Sequence, residues 1–318
     1  MPLLPERLAR KPQYVFHPLR AARRATYRFV REDGRTRVAD LPWGLPLEVY
    51  AGDAIGFSIV AGGVFDPCVT EALHRLIDPG DVVADVGANI GYMSSLAATR
   101  VGADGRVLAF EPHPRVYELL ERNAARWRDP GNGDVGGVEL QRVALSDAAG
   151  EGTLVSGPSF EANTGLASLD ANGDAAAMED SNSFTVGLAR LDQIAGDEPV
   201  RFMKVDVEGH EADVLRGATE LLGPDGIRDI VFEDHDDYPS PATAIVEEAG
   251  YELISLDNDL WGLRMIAPEK RGEVPEWPGP SYLATRDPDR ARKRLADRGW
   301  QVRGVGPGLG RRMRRTRR

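Results

Sequence analysis

A doubly wound, mostly parallel α/β fold is predicted for this chain by three observations. Short apolar runs alternate with amphipathic stretches from about residue 66 onward. The first of these runs, Val82–Val86, leads straight into a glycine turn and then a helical pattern. Composition is ordinary for a globular protein, 42% hydrophobic and 28% charged over 318 residues.

The elements follow in order. Residues 1–40 show little periodicity, with a helix expected around Leu19–Arg28. Apolar runs punctuated by glycine, Leu47–Tyr50 and Phe57–Val60, predict hairpin strands, so 1–65 reads as an N-terminal extension with a β-hairpin region. A helix over 67–77 is broken by Pro79-Gly80. Then come strand Val82–Val86, helix Asn89–Arg100, strand Arg106–Phe110, helix Arg115–Trp127 and strand Val138–Val143. That order implies parallel strands joined by right-handed crossovers.

Residues 156–183 carry Gly, Ser, Asn, Ala and acids but no Lys or Arg, and predict a long loop. Gly152–Val155 and Phe184–Leu188 flank it as a hairpin, giving an insertion over 152–188. Strand Val200–Val205, helix Ala212–Leu222, strand Asp229–Phe232 and helix Ala242–Ala249 resume the alternation. Tyr251–Leu256 and Leu260–Ile266 predict a closing antiparallel pair about the turn Asp257-Asn258. Prolines and charges beyond Pro268 predict an irregular extension over 268–318, so the main domain is expected at 66–267.

Charge narrows the function. The formal net charge is −11, yet residues 1–37 and the Arg311–Arg318 tail are basic. An acidic body between basic ends argues against a nucleic-acid groove, which needs a basic face on the folded domain. The single cysteine, Cys68, excludes an intrachain disulfide and a multi-thiolate zinc site. No apolar run approaches the roughly 20 residues of a membrane helix, and the first residues lack a signal-peptide core. A cytoplasmic protein without a membrane span is the expectation. Nothing in the sequence fixes an oligomeric state.

The segment Asp85-Val86-Gly87-Ala88-Asn89-Ile90-Gly91 joins the first core strand to its helix. Gly87 and Gly91 lack Cβ, so backbone can approach a ligand there, and helix N–H groups favour an anionic group. Glu111 closes the second strand about 20 residues on, where a carboxylate can accept hydrogen bonds from ribose hydroxyls. The pair predicts a nucleoside cofactor. The dinucleotide fingerprint needs a middle glycine for its pyrophosphate, and Asn89 stands there instead. Asp85 would repel a pyrophosphate but could face an ammonium or sulfonium. An amino-acid-bearing nucleoside therefore fits better than a nicotinamide dinucleotide.

Asp-Val-Gly-Ala-Asn-Ile-Gly-Tyr (85–92), Phe-Glu-Pro (110–112), Ala-Leu-Ser-Asp (144–147) and Lys-Val-Asp-Val-Glu-Gly-His-Glu (204–211) stand in that order. So do the tract Asn163–Leu169 and the strand ending Phe232-Glu233. Together these resemble the signatures of the FkbM family of methyltransferases over about residues 64–267. The resemblance implies the Rossmann-like, seven-stranded class I methyltransferase fold and S-adenosylmethionine as cofactor. It implies O-methylation of a sugar, glycan or secondary metabolite. It also implies that Asp85, Gly87 and Gly91 hold the methionine end, that Glu111 holds the ribose, and that Ser146 and Asp147 lie beside adenine; Asn89 and Tyr92 are expected near the sulfonium, and Ala88 and Pro112 count among the cofactor contacts.

Three acids and an imidazole, Asp206, Glu208, His210 and Glu211, crowd the end of the fourth strand. Methylating a hydroxyl removes a proton, so a base at this edge is expected. His210 is the first candidate because its ordinary pKa lies near neutrality, and Asp206 is the second. Asp206 also counts among the cofactor contacts. Glu233 heads a second acidic cluster expected to face the acceptor. No metal is expected, and His74 and His113 read as surface residues. A nicotinamide oxidoreductase and a non-catalytic cofactor-binding protein are the competing readings. They are disfavoured by Asn89 and by the acid-rich 206–211 segment.

Overall fold

In a computed structural model the described residues are 36–157, 160, 164–165, 167–169, 182–236, 238–273 and 280–303. The expected helix at Leu19–Arg28, most of the loop 156–183 and the Arg311–Arg318 tail lie outside them.

Strands β1 (Thr36–Asp40) and β2 (Pro46–Tyr50) pair antiparallel, so the expected strand Leu47–Tyr50 is present but its partner is Thr36–Asp40, which the sequence reading did not expect as a strand. The second expected run, Phe57–Val60, is instead part of a helix, Ala54–Gly62. Asp53 supplies the deciding signal: its side chain accepts from the Gly56 N–H at 3.2 Å as an N-cap.

The core strands β3 (Val82–Val86), β4 (Arg106–Phe110) and β5 (Gly137–Gln141) are parallel, as are β10 (Val200–Val205) and β11 (Asp229–Glu233). The chain lays β4 and β5 on one side of β3 and returns to place β10 and β11 on the other. That reversal opens a crevice outside the carboxyl ends of β3 and β10, where ligands bind in open α/β sheets. Every residue of β3 is buried. The period of two sends Val83 into one core, and Val82, Ala84 and Val86 into the core on the opposite face.

β6 (Ala144–Leu145), β7 (Gly150–Ser156), β8 (Ala167–Leu169) and β9 (Asn182–Ala189) form a separate four-stranded sheet. Its β7–β9 pairing is the hairpin expected beneath the insertion. The expected strand Val138–Val143 is thus cut short at Gln141, and the chain passes to the second sheet.

The main sheet has eight strands, not seven. β12 (Glu252–Asp259) and β13 (Gly262–Ile266) form the expected antiparallel pair, but Asp257 and Asn258 lie inside it, opposite Arg264 and Leu263. The turn falls at Leu260–Trp261. Over residues 281–295 the irregular expectation is overturned. β14 (Ser281–Thr285) inserts antiparallel between β11 and β12, and Pro288–Leu295 is helical. Tertiary contacts drive this. Arg75, paired with Glu71 at 2.7 Å, donates to the carbonyls of Arg294, Leu295, Asp297 and Gly299. Glu71 accepts from the N–H groups of Gln301 and Val302. Trp300 is buried beside them at 1% exposure. No single helix among the described residues is long and apolar enough to cross a membrane.

Candidate active site

Gly87 sits where the ends of β3 and β10 nearly touch. Its φ is 72°, and a Cβ there would stand 1.9 Å from the Asp206 carbonyl oxygen. No other residue tolerates both the dihedral and the approach. The turn then crosses to β4: the N–H groups of Gly87 and Ala88 donate to Phe110 O at 3.0 and 2.8 Å. Asn89, at φ 50°, donates its N–H to Glu111 Oε2 at 2.9 Å. The His113 N–H donates to Glu111 Oε1 at 2.8 Å. Burial pushes the Glu111 carboxyl up to about 7 although these two donors oppose the shift. The left-handed turn delays the following helix to Tyr92, three residues later than the sequence pattern places it.

A cavity of about 420 Å³ opens at this edge. Gly87, Ala88, Asn89, Tyr92, Glu111 and Pro112 line it, and so do Asp206, Glu208, His210 and Glu233. The glycine turn, the strand-end acid and the acid cluster, far apart in sequence, thus meet at one cavity.

Five expected contacts are not among the residues that line it. Asp85 is buried under the turn, where its carboxylate accepts from Ser94 Oγ and lies 3.5 Å from Lys204 Nζ. Gly91 serves packing: a Cβ there would meet Leu120 and Trp127 at 2.7 and 2.6 Å. Ser146 contacts His210 Nε2 at 3.0 Å, and the Asp147 carbonyl accepts from Arg190 at 2.7 Å. The nearby lining is apolar instead, formed by Phe110, Val143, Leu145 and Leu154. Glu211 turns back to accept from the N–H groups of Val207 and Gly209, bracing the loop.

His210 lines the cavity with both ring nitrogens engaged, Nε2 by Ser146 and Nδ1 by Asp213 at 3.1 Å. Burial holds its pKa below the usual imidazole value. These contacts fit a positioning role better than the base expected first. Tyr92 presents its ring while its hydroxyl accepts the Phe65 N–H at 3.1 Å. His113 is buried rather than on the surface, stacked on Phe160 at 4.4 Å. His74 is half-buried, and burial drops it to about 4, aided by Arg100 and Arg75.

Two cavity residues escaped the sequence reading. Asp66 caps the helix Pro67–Leu76 at φ 33°, accepting from the N–H groups of Cys68 and Val69. Its Asp-Pro signature reads only as a helix start. Lys204 lies in the otherwise largely apolar β10 at 4% exposure. Its Nζ donates to the carbonyls of Val86 and Gly87 at 3.2 and 2.8 Å, and stands 3.5 Å from both Asp85 and Asp206. Burial opposes its charge, but the two carboxylates outweigh burial and raise its pKa. A lysine inside a core strand is the signal that was available.

The acids strain one another. Burial first, then Asp206, Asp66 and Glu208, push Glu233 up to about 9. Burial and Asp206 push Asp66 to about 6, against its N–H partners, and raise Glu208 as well. Glu233 meets His235 Nε2 at 3.2 Å. Among the described residues no three His, Cys, Asp or Glu side chains are set to hold a metal ion together.

A mostly parallel α/β sheet with a glycine turn, a buried strand-end acid and a cavity at its switch point has the build of a class I methyltransferase. Residues 85–253 match the sequence model of the methyltransferase FkbM domain. The hexuronic acid methyltransferase AglP of Haloferax volcanii is 31% identical over 202 residues, covering 60% of this chain and 72% of that protein. The 31-O-demethyl-FK506 methyltransferase FkbM of Streptomyces tacrolimicus is 34% identical over 182 residues, covering 50% of this chain and 66% of that protein. The antimetabolite synthetase AmbE of Pseudomonas aeruginosa is 32% identical over 192 residues, but this chain spans only 9% of its length. The chain belongs to the FkbM methyltransferase family, and the protein is a methyltransferase.

Proposed function

We propose that the protein transfers a methyl group from S-adenosylmethionine to a hydroxyl of a sugar, glycan or secondary metabolite. The observation that carries this reading is the contact between Asn89 N–H and Glu111 Oε2, which joins the glycine turn to the strand-end acid in the cavity that also holds Asp206. The residues fit the cofactor. Glu111 is a buried carboxylate partnered only by backbone N–H groups among its described contacts, so ribose hydroxyls would find unused lone pairs there. Phe110, Val143, Leu145 and Leu154 offer an apolar slot for a flat base.

S-adenosylmethionine, when bound, supplies an electrophilic methyl on a sulfonium. The chain orients the acceptor and excludes water. Asp206 would take the hydroxyl proton as the oxygen–methyl bond forms and the methyl–sulfur bond breaks, with S-adenosylhomocysteine as the leaving thioether, and Lys204, 3.5 Å away, holds that carboxylate in place. His210 and Glu211 fix the loop that carries it.

Calorimetry with S-adenosylhomocysteine and with NADH tests the cofactor. Tight binding of the first and none of the second is expected. Absence of S-adenosylhomocysteine binding would remove the reading. Incubation with labelled cofactor and a metabolite extract, read by mass spectrometry, then reports the acceptor.

A further inference from the structure

The insertion reaches back to the cofactor turn at two points. At the first, Asn89 Nδ2 donates to the Thr164 carbonyl at 3.2 Å, and Thr164 Oγ1 stands 3.5 Å from Asn89 Oδ1. At the second, the Phe160 ring stacks on the His113 ring with centroids 4.4 Å apart, and Phe184 of β9 meets the same ring edge-on at 4.7 Å. Asn89 and His113 are the two residues whose backbone N–H groups hold the Glu111 carboxylate. Both donors to the strand-end acid are therefore braced from the insertion.

Thr164 is held in turn by a residue 111 positions earlier in the chain. Its N–H donates to Asp53 Oδ1 at 2.9 Å, while Asp53 Oδ2 accepts the Gly56 N–H at 3.2 Å and caps the helix Ala54–Gly62. Asp53 is 2% exposed, and burial raises its pKa although its N–H partners oppose the shift. A helix cap alone does not require a buried carboxylate, because serine or asparagine caps as well with one oxygen. The second oxygen goes to Thr164. Asn89 needs such support: at φ 50° it stands in a left-handed conformation that persists only where its surroundings enforce it. Thr164 and Gly165 line the cavity, as Asn89 and Glu111 do.

We infer that Asp53 is a positioning residue for the cofactor site: it holds Thr164 on Asn89, and through Asn89 it keeps the Glu111 carboxylate turned to receive the ribose. Asp53 lies outside the matched residues 85–253 and outside the motifs that carry the family resemblance. The site is thus completed by the segment that precedes the main domain. This inference rests on the methyltransfer reading and adds a residue to its cofactor site.

The test separates the two oxygens of Asp53. Asp53→Ser keeps a capping oxygen but is too short to hold Thr164 as well. S-adenosylhomocysteine, titrated by calorimetry into the full chain, should bind about tenfold weaker to this variant. The melting temperature of the ligand-free protein should fall by no more than about 4 °C. A double-mutant cycle with Glu111→Gln then shows whether Asp53 acts through Glu111. Once Glu111 is replaced, Asp53→Ser should weaken binding by less than about threefold. A merely structural role would give the same loss in both backgrounds, and that additivity overturns the inference. So does an affinity that Asp53→Ser leaves unchanged. Should the serine variant not fold, Asp53→Asn keeps the side-chain length and the cap but offers one acceptor oxygen, and it takes the same place in the cycle. An unaltered chain that binds no S-adenosylhomocysteine sinks the methyltransfer reading and this inference together. Binding without coupling sinks the inference alone, so the two failures are distinguishable.

Discussion

Strand β11 begins at Asp229 and ends at Glu233, and the two acids have opposite surroundings. At the start, Asp229 accepts from Arg228 Nε at 2.8 Å, Arg290 Nη1 at 2.9 Å and Thr285 Oγ1 at 2.7 Å. Asp78 and Asp81 complete the cluster with the same arginines and Arg294. Acids and arginines balance there. At the other end, Glu233 shares a cavity with Asp66, Asp206 and Glu208, with Lys204 as their cation. Paired charges at the amino edge fasten β14 and its following helix to the sheet. At the carboxyl edge the acids crowd about one lysine, and burial and mutual repulsion raise the pKa of Asp66, Glu208 and Glu233. The same residue type stays fully ionised in a balanced cluster and is pushed toward its neutral form where acids outnumber their cations.

Breaking the balanced end should have the largest effect. Asp229→Ala leaves Arg228 and Arg290 short of a partner in a largely buried setting, and a loss of about 3–5 kcal/mol in folding stability is expected from denaturant titration. An unchanged midpoint would show that the arginines find water instead.

Next in size is Asp206→Asn. Turnover should fall about 100-fold or more, the range for loss of a positioned base, while S-adenosylhomocysteine affinity stays within about threefold. Single-turnover kinetics beside calorimetry separate the two. Retained turnover would take the proton-accepting role away from Asp206.

Glu111→Gln exchanges one acceptor oxygen for a donor opposite two N–H groups. S-adenosylhomocysteine should bind about tenfold weaker or worse, since hydrogen bonds to charged groups contribute about 1.5–3 kcal/mol. In the unaltered protein the affinity should decline as pH falls through about 7, because a protonated Glu111 loses acceptor capacity. A flat profile between pH 8 and pH 6 would contradict that role.

The smallest effect is expected for Glu233→Gln at low pH, within about 1 kcal/mol of the original stability below pH 4.5, because glutamine resembles the protonated acid. The pH dependence sharpens it. Glu233 has its pKa raised from 4.5 to about 9, so its contribution is complete below 4.5 and fades as pH rises toward 9, where the native carboxyl finally ionises. Denaturant midpoints across that window should fall more steeply for the unaltered protein than for the variant. Parallel curves would mean that Glu233 is already ionised at neutrality.

The core strands and the turn between the first two were readable from the residue pattern alone. Val82–Val86, Arg106–Phe110 and Val200–Val205 stand where their apolar runs place them, because a strand buried on both faces needs a near-continuous apolar run. Gly87 and Glu111 were legible for a similar reason: a close approach and a buried strand-end acid each demand one residue type. Only the tertiary structure decided what depended on partners distant in sequence. Ser281–Thr285 became a strand through its neighbours and the Glu71–Arg75 clamp, against the prolines and charges that flank it. Ser146, Asp147 and Gly91 turned away from the cavity, and Asp66 turned into it, because side-chain direction follows packing and not spacing. The charge of the cavity wall is likewise a sum over residues 66 to 235 in sequence, and only folding brings them close enough for that sum to act.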